Sequence, residues 1–208
     1  MNTATKEQLL QAIEEAATAT TLADAVKALA EAQIPETIPN LIRALNYNNP
    51  GAAVAAVDGL IALGKDSVPD LLNLLDDYNY GARAWALRAL SGIGDPRSHH
   101  LLVDTALNDF ALSVRRAAAR GLGSIHWEWI APEEAQTLQK TSLDALCQIC
   151  HDPEWIVRYA GISGLECLGQ QPNTEMRSIA LHHLQQAQQT DTETAVRARA
   201  QLAIDRLT

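Results

Sequence analysis

The sequence predicts an all-α protein, a right-handed α-solenoid of about five stacked helix pairs with capping helices at its ends. A motif recurs along the 208 residues: a small or β-branched residue, then Arg, an Ala-rich turn and two leucine-like residues three apart. Clear copies begin at Ala82-Arg83, Val114-Arg115 and Val157-Arg158, and weaker copies begin at Ala52 and Val196-Arg197. Repeats of roughly this length with helical apolar spacing inside each unit are typical of stacked helices.

Composition supports the same fold class. Hydrophobic residues make up 47% of the chain but aromatic residues only 4%, because Ala and Leu dominate. Alanine has the highest helix propensity and its small side chain lets helices approach closely. Runs of β-branched and aromatic residues of strand length are missing. These features favour helices throughout the chain.

The repeat pattern divides the chain into units that form one continuous solenoid domain. The predicted units cover residues 6–49, 50–79, 80–110, 111–153 and 154–192, with a C-terminal cap at 193–208. In the first unit, apolar spacing predicts an amphipathic helix from Lys6 to Ala19 and a second from Leu22 to Ala32. The segment Gln33-Ile34-Pro35 interrupts the second helix, and Ile38 to Leu45 forms its partner.

The second unit shows the helix pair most clearly. Its first helix is predicted from Ala52 to Leu63, and Gly64 stands at the expected C-cap position. Its second helix begins near Val68-Pro69, where proline is favourable because a first-turn N–H has no partner inside the helix. We expect that helix to carry Leu75 in its core and to end at Asp76-Asp77.

The later units repeat this order with one insertion. The third unit has predicted helices from Ala82 to Ile93 and from Ser98 to Leu107. The fourth is longer, and its extra segment His126–Glu133 lies where the first helix turns into the second. The fifth unit follows His151-Asp152-Pro153, and a last helix from Glu193 to Leu207 is predicted to cap the array.

Charge and targeting signals narrow the function classes. The formal net charge is −9, from 16 basic and 25 acidic residues, which argues against a nucleic-acid partner. The N-terminus lacks a basic region followed by an apolar core, and apolar runs are too short for a membrane span. Three cysteines without an export signal indicate reduced thiols. We therefore expect a cytoplasmic protein.

The repeat units resemble HEAT-type repeats: Val-Arg-x-x-Ala, then Leu-x-x-Leu-Gly, then Pro and a Leu-rich helix that ends in Asp. More specifically, the chain is similar to the smaller (beta, F-type) subunit of the E/F-type phycocyanobilin lyases of cyanobacteria. The stretches that carry this resemblance are residues 81–90, 114–122 and 155–160. The resemblance covers most of the chain, from about Leu22 onward.

The resemblance implies a heterodimeric enzyme with a larger HEAT-repeat subunit. Such a lyase attaches phycocyanobilin, its substrate, by a thioether to a cysteine of the phycocyanin alpha subunit, and holds no permanent cofactor. Relatives that also isomerise the bilin carry a His-Cys dipeptide, which this sequence lacks. Attachment without isomerisation is therefore expected, with the N-terminal helix Leu9–Ala17 binding the larger subunit. A bilin-detaching or phycobilisome-degradation protein and a non-catalytic HEAT scaffold remain the alternatives.

The segment Cys147-Gln148-Ile149-Cys150-His151 matches the c-type haem attachment pattern. Covalent haem at this pattern requires an exported protein, and the chain has no export signal. The apolar spacing around Cys147 and Cys150 instead indicates the buried stripe of a helix, with cysteine acting as a small hydrophobe. A structural zinc site lacks a second pair of ligands, so no metal site is expected.

Arg83, Arg115, Arg158 and Arg197 occupy equivalent positions in successive repeats. In a structural role, each guanidinium would bond an aspartate or a helix end of a neighbouring repeat. In a functional role, a guanidinium would bind a bilin propionate bidentately. We expect the structural role for Arg83 and Arg197. Both roles stay open for Arg115, Arg116 and Arg158, and we name Arg115 and Arg158 as candidate bilin ligands.

Aromatic residues are scarce, so their positions are informative. Trp127 and Trp129 alternate with polar neighbours in the inserted segment, which predicts that each presents one face to solvent. These two tryptophans and Tyr159 are the candidate bilin-stacking residues, because a flat tetrapyrrole requires aromatic walls. His126 is the candidate catalytic residue that handles a proton. Trp85 is interpreted as a core residue. Trp155 stays open between filling a gap among Ala-rich helices and contributing to an aromatic wall near the insertion. His99-His100 and His182-His183 are interpreted as surface pairs.

Overall fold

A computed structural model describes residues 5–74 and 80–208, with side chains except at residues 80 and 81. Every regular element in these ranges is helical. The helices are α1 (Lys6–Glu14), α2 (Ala19–Glu31), α3 (Ile38–Ala44), α4 (Pro50–Leu63), α5 (Val68–Leu74), α6 (Tyr80–Ile93), α7 (His99–Asn108), α8 (Leu112–Leu122), α9 (Pro132–Ile149), α10 (Trp155–Gly169), α11 (Thr174–Thr190) and α12 (Thr194–Leu207). The chain forms two compact units, Met1–Ile93 and Gly94–Thr208.

Within each unit the helices pack in two rows. In the first unit α2, α4 and α6 lie side by side, and α3 and α5 form the second row. In the second unit α8, α10 and α12 form one row, and α7, α9 and α11 form the other. Every second helix is thus a lateral neighbour, as expected for stacked helix pairs. The all-α, repeated helix-pair fold class is confirmed.

Small residues set the spacing between α8 and α10 in the second unit. A Cβ added at Gly164 of α10 would meet the carbonyl oxygen of Ala119 in α8 at 3.0 Å and press on Leu146 of α9. The helices therefore approach too closely for any side chain at that position. Fully buried leucines such as Leu122 and Leu165 fill the core around this contact.

Most helix limits agree with the sequence, and the first helix shows the largest difference. The predicted helix Lys6–Ala19 ends at Glu14, because Thr18 begins a new helix. The Thr18 side chain accepts from the N–H of Thr21, and the Thr21 hydroxyl accepts from the N–H of Thr18. Such reciprocal capping at the first turn starts α2 and prevents one long helix.

Two glycines end helices in equivalent positions. Gly64 terminates α4 with φ of 65°, which confirms the predicted C-cap. Gly94 has φ of 67°, and its carbonyl oxygen accepts the backbone N–H of His126 at 2.8 Å. Only glycine adopts this left-handed conformation at little cost, and a Cβ here would collide with Ser124.

Some expectations stay untested. The predicted helix end at Leu75 to Asp77 lies outside the described residues. The repeat boundaries, the single continuous domain and the right-handed twist also stay predictions.

Candidate functional site

The repeated arginines of the second unit form a ladder of ion pairs. Arg115 donates from Nε to Oδ2 of Asp152 at 2.9 Å and from Nη2 to Oδ1 at 3.1 Å. Arg158 donates in the same way to Asp191, at 2.7 and 2.8 Å. The third nitrogen of Arg158 donates to the carbonyl oxygens of Asp152 and Pro153. Each arginine thus joins the turn before its own helix to the turn that ends its helix pair and precedes the next repeat.

These ion pairs are largely shielded from solvent. The side chains of Arg158 and Asp191 are only 13% and 6% exposed, and Arg115 and Asp152 are similar. The hydrogen bond from Arg158 holds the pKa of Asp191 below its ordinary value. Both guanidiniums are therefore occupied by aspartates. This geometry supports the structural role for Arg115 and Arg158, and their assignment as bilin ligands loses its physical basis.

Arg197 repeats part of this arrangement. Its Nη1 donates to the carbonyl oxygens of Asp191 and Thr192, and its Nη2 donates to the Thr194 hydroxyl. The structural role expected for Arg197 is thus supported.

A cavity of about 390 Å³ lies beside the ladder pair of Arg158 and Asp191. Its wall also includes Cys150, His151 and His183, together with short polar side chains. Burial, then the neighbouring histidines, lowers the pKa of His183. The wall carries no tryptophan or tyrosine and its strongest charges neutralise each other, so it offers little to a flat conjugated dianion.

The inserted segment divides its two tryptophans between core and surface. Trp127 is only 5% exposed and lies edge-on against His99, with ring centroids 6.1 Å apart. The prediction of a solvent-facing side is therefore wrong for Trp127, because a short 3₁₀ turn at 127–129 directs this ring inward. Trp129 is 38% exposed, as predicted.

His99 is also buried, which corrects the surface interpretation of the His99-His100 pair. Its Nε2 lies 3.0 Å from both the Leu138 carbonyl oxygen and the Ser142 hydroxyl. Burial, then the charge of His100, lowers the pKa of His99, and the hydrogen bond that the ring donates to the Leu138 carbonyl opposes this shift. The ring therefore bridges α7 and α9 as a neutral group.

His126, Glu128 and Trp129 form an exposed cluster after α8. The imidazole of His126 stacks on Trp129 with centroids 4.3 Å apart and planes 13° from parallel. His126 Nδ1 lies 2.8 Å from Glu128 Oε1. Because an ionised carboxylate only accepts hydrogen bonds, Nδ1 carries the hydrogen and Nε2 of the neutral ring is left as an acceptor. This arrangement suits a group that takes up and returns a proton.

Exposed arginine and aromatic side chains gather on α8 and α10. We define the arginine–aromatic face as Leu112, Arg116 and Arg120 of α8 with Trp155 and Tyr159 of α10; all five side chains are exposed. Trp155 is 42% and Tyr159 is 37% exposed. Of the two roles left open for Trp155, the structure therefore excludes that of a buried gap filler. The helix α8 contains three arginines and no acidic residue, although the whole chain is acidic.

The two helices of this face pack in register. Gly123 near the end of α8 lies against Gly164 and Cys167 of α10. Arg116 and Tyr159 each follow the ladder arginine of their own helix by one residue. Equivalent positions on neighbouring helices of one row stand side by side in such repeats, so the register of α8 and α10 predicts that Arg116 lies next to Tyr159. The face therefore combines flat apolar surface with positive charge.

The two cysteines of the Cys-x-x-Cys-His segment lie on the buried side of α9. Burial raises the pKa of the Cys150 thiol to about 12 and that of Cys147 to about 11. Cys150 is buried and Cys147 half-buried on α9, which confirms the core interpretation of the Cys-x-x-Cys-His segment. Among the described residues, no group of three or more His, Cys, Asp or Glu side chains is arranged to hold a metal ion.

Comparison with known proteins identifies the family. Residues 49–123 match the HEAT repeats family and residues 114–152 match the PBS lyase HEAT-like repeat. The chain is 57% identical over 165 residues to the phycocyanin alpha phycocyanobilin lyase CpcF of Synechocystis sp., covering 79% of this chain and 77% of that protein. It is 45% identical over 197 residues to the phycocyanobilin lyase subunit beta of Nostoc sp., covering 94% and 97%. The chain belongs to the phycocyanobilin lyase beta-subunit family.

A solved structure agrees with this assignment. The complex of CpcE and CpcF of phycocyanin lyase from Nostoc sp. contains a chain that matches at a TM-score of 0.76 and 46% identity, over 81% of this chain and 98% of that one. A designed armadillo repeat protein matches at 0.59 with 18% identity, which supports the fold alone. The structure describes no helix long and apolar enough to cross a membrane between residues 5–74 or 80–208.

In this lyase-family chain, the contacts group the predicted site residues in different places. Arg115 and Arg158 belong to the ion-pair ladder, and Trp127 belongs to the core. His126 and Trp129 form the exposed cluster after α8, and Tyr159 lies on the arginine–aromatic face. Sequence reasoning did not single out Arg120 and left the position of Trp155 open. The signal was available, since Trp155 stands two positions before a buried valine that begins the helical stripe.

Proposed function

We propose that this chain is the smaller subunit of a heterodimeric lyase that attaches phycocyanobilin to a cysteine of the phycocyanin alpha subunit. Family membership supports the reaction, because a relative 57% identical is a phycocyanin alpha phycocyanobilin lyase. One geometric observation carries the assignment of the bilin site. Trp155 and Tyr159 expose their rings on α10 beside the arginines of α8.

The bilin lies on the arginine–aromatic face in this proposal. Its conjugated rings are flat and apolar, so exposed indole and phenol rings bind them by stacking. Its two propionates are anionic at neutral pH, and arginine binds carboxylates strongly. Trp155 and Tyr159 therefore take the ring system, in place of the buried Trp127.

The reaction adds a thiol to a double bond. The sulfur of the acceptor cysteine bonds to the ethylidene carbon of the bilin, the carbon–carbon π bond is lost, and the thiol proton ends on the bilin. No group leaves. A thiolate is the reactive nucleophile, and a protonated bilin is the better electrophile. The lyase accelerates this addition by holding both partners at reacting distance.

His126 handles the proton in this scheme. Glu128 orients the imidazole through Nδ1, and the parallel Trp129 ring restricts its rotation. The free Nε2 can accept the thiol proton and return it to the bilin. The His126–Glu128–Trp129 cluster thus supplies acid–base chemistry, whereas the arginine–aromatic face supplies binding.

A larger lyase subunit completes the enzyme. A relative of this chain was solved as a complex of CpcE and CpcF, and CpcF is the name carried by the matching lyases. The helix α1 packs its buried Leu9 inward and keeps Leu10 and Ile13 half-exposed, so its role in binding the larger subunit stays a prediction. The reaction is assigned to the cytoplasm, where the acceptor thiol stays reduced. The proposed reaction does not include isomerisation of the bilin, since no histidine of the chain stands immediately before a cysteine.

Reconstitution tests the reaction. This chain, the larger subunit, the phycocyanin alpha polypeptide and bilin synthesis enzymes are produced together, and covalent bilin is read on a denaturing gel. Product that disappears when this chain is omitted supports the lyase function. Unchanged product rejects it. Incubation with already chromophorylated phycocyanin measures detachment, and net loss of bilin there would favour the detaching alternative.

A matched pair of variants tests the bilin site. Trp155→Ala should reduce bilin affinity by roughly tenfold, because stacking of a flat ring on one aromatic side chain contributes about 1–3 kcal/mol to binding. Ile179→Ala removes an equally exposed apolar side chain, 39% exposed, from α11 and should bind bilin normally. Equal binding by both variants would reject the arginine–aromatic face as the bilin site.

A further inference from the structure

We propose that Arg116 and Arg120 form a clamp that binds the two propionates of the bilin and so fixes which edge of the tetrapyrrole faces α8. This inference rests on the proposed lyase function and assigns a task to two residues within it. Both side chains are exposed on α8. Their spacing, their lack of partners and their position beside aromatic rings carry the argument.

Neither arginine has a structural partner in the part of the chain that the structure describes. Arg115, one residue earlier, makes four hydrogen bonds and a shielded ion pair. The side chains of Arg116 and Arg120 make no hydrogen bond or ion pair with residues 5–74 or 80–208. The ladder therefore explains one arginine of α8 and leaves the other two available to a ligand.

The pair is unfavourable for the isolated chain. Residues four apart on a helix are neighbours, and like charges at this spacing destabilise the helix. Arg120 lies in the last turn of α8, where its charge favourably meets the helix dipole. Arg116 lies mid-helix and gains no such compensation. An anion bound between the two would remove the repulsion.

The spacing suits a dicarboxylate. Side chains at positions i and i+4 start about 5–6 Å apart on one helix face. The two propionates of a bilin stand on its adjacent central rings, so they also project side by side. One guanidinium can then bind each carboxylate through two parallel hydrogen bonds.

The surroundings place the pair at the edge of the stacking surface. The register of α8 and α10 predicts that Arg116 lies next to Tyr159. Burial, then Glu166, raises the pKa of Cys167 on α10, and the charge of Arg120 opposes this rise. The charge of Arg120 thus acts on the Cys167 thiol of α10. A bilin stacked on Trp155 and Tyr159 would meet both arginines along its propionate edge.

The test compares phycocyanobilin with its dimethyl ester on the complex of this chain with its larger subunit. Esterification removes both negative charges and keeps the ring system. Wild-type complex should bind the free acid about tenfold more tightly than the diester, from two exposed ion pairs. Arg116→Gln with Arg120→Gln should lower this preference to about one while binding of the diester stays unchanged.

Two control complexes make the comparison specific. Arg43→Gln with Lys140→Gln removes the same charge from exposed residues of α3 and α9 and should keep the full preference. Arg116→Lys with Arg120→Lys keeps the charge without the bidentate geometry and should keep part of it. Circular dichroism checks that each variant retains wild-type helicity.

Each outcome decides the proposal. A wild-type preference that persists in the double glutamine variant overturns the clamp, as does a wild-type complex that binds acid and diester equally. The clamp is also overturned if the double glutamine variant binds bilin normally but needs a higher concentration of the phycocyanin alpha polypeptide for attachment. The two arginines would then bind the acceptor protein instead of the bilin. Attachment by the wild-type complex with any of these results leaves the lyase function intact. A wild-type complex that attaches no bilin rejects the lyase function itself.

Discussion

Arg158 and Asp191 are joined by two parallel hydrogen bonds, Nε to Oδ2 at 2.7 Å and Nη2 to Oδ1 at 2.8 Å, across 33 residues of sequence. The pair connects the start of α10 to the turn between α11 and α12. Asp191 also accepts the backbone N–H of Glu193 at 2.8 Å, which shapes that turn. The residue that sequence reasoning linked to substrate is therefore a structural tie between repeats.

Breaking this tie should destabilise the chain. In Arg158→Ala the carboxylate of Asp191 stays buried without its partner, and removing one member of a buried ion pair costs about 3–5 kcal/mol. We expect the free energy of unfolding in urea to fall by about that amount. Arg197→Ala, which has no carboxylate partner in the described chain, should lose less. Equal losses in both variants would contradict the ladder as the source of stability.

Acid should weaken the same tie. The hydrogen bond from Arg158 lowers the pKa of Asp191 below its ordinary value of 3.8. A carboxyl whose pKa is lower in the folded state adds stability that is present above the unfolded pKa and lost as pH falls through the folded pKa. Unfolding free energies measured from pH 5 to pH 2 should therefore fall more steeply for wild type than for Asp191→Asn. Parallel curves would show that Asp191 is not linked to stability.

His99 should give a second pH dependence, at higher pH. Burial lowers its pKa from 6.5, so the unfolded chain binds the proton more readily than the folded chain. Stability linked to His99 is then complete above about pH 6.5 and declines as pH falls towards the lower folded pKa. The groups around the ring are His100, the Leu138 carbonyl and Ser142.

The measurement compares unfolding free energies at pH 7.5 and pH 5.5. We expect wild type to lose stability between them and His99→Gln to lose less. His100→Gln keeps the buried ring but removes a charge that also lowers the pKa of His99, so its loss should lie between those of wild type and His99→Gln. A His99→Gln curve with the full wild-type slope would place the titrating group elsewhere.

Substitution of Trp127 should mainly lower stability, whereas substitution of Trp129 should mainly lower activity. Trp127 is buried, so Trp127→Ala should cost about 3–5 kcal/mol of stability through the cavity it leaves. Trp129 is 38% exposed and stacks on His126, so Trp129→Ala should cost about 1 kcal/mol or less and mainly lower the attachment rate. Thermal unfolding and the gel assay measure the two effects. A stable Trp127→Ala protein would contradict the buried position.

The cysteines should differ in reactivity. Cys167 is exposed, Cys147 is half-buried and Cys150 is buried, with thiol pKa values raised to about 11 for Cys147 and about 12 for Cys150. Because the thiolate is the reactive form, iodoacetamide at pH 8 should modify Cys167 first and Cys150 only after unfolding. Peptide mass spectrometry reads the order. Early modification of Cys150 in the folded protein would be inconsistent with its burial.

The sequence predicted local features well because they depend on nearby residues. The Ala-Leu stripes, the glycine that ends α4 and the proline-led helices all follow from spacing within one helix. The apolar spacing does not predict the early end of α1. The reason is that Thr18 and Thr21 form a capping box that starts a new helix, and this signal lies in residue type and not in periodicity. The recurring arginine indicated the repeat from the sequence alone, whereas its partners Asp152 and Asp191 were identified only from the structure.

The repeat, the all-α class and the family of this chain can be predicted from its sequence, because they depend on residue type and period. Tertiary structure alone decided which side chains are free to act. Arg115 and Arg116 are adjacent in sequence, yet one is tied to Asp152 and the other is exposed. Trp127 and Trp129 likewise differ only in direction. Burial and pairing depend on neighbours far along the chain, such as Asp152 for Arg115 and His99 for Trp127, and periodicity in one helix carries no information about those neighbours.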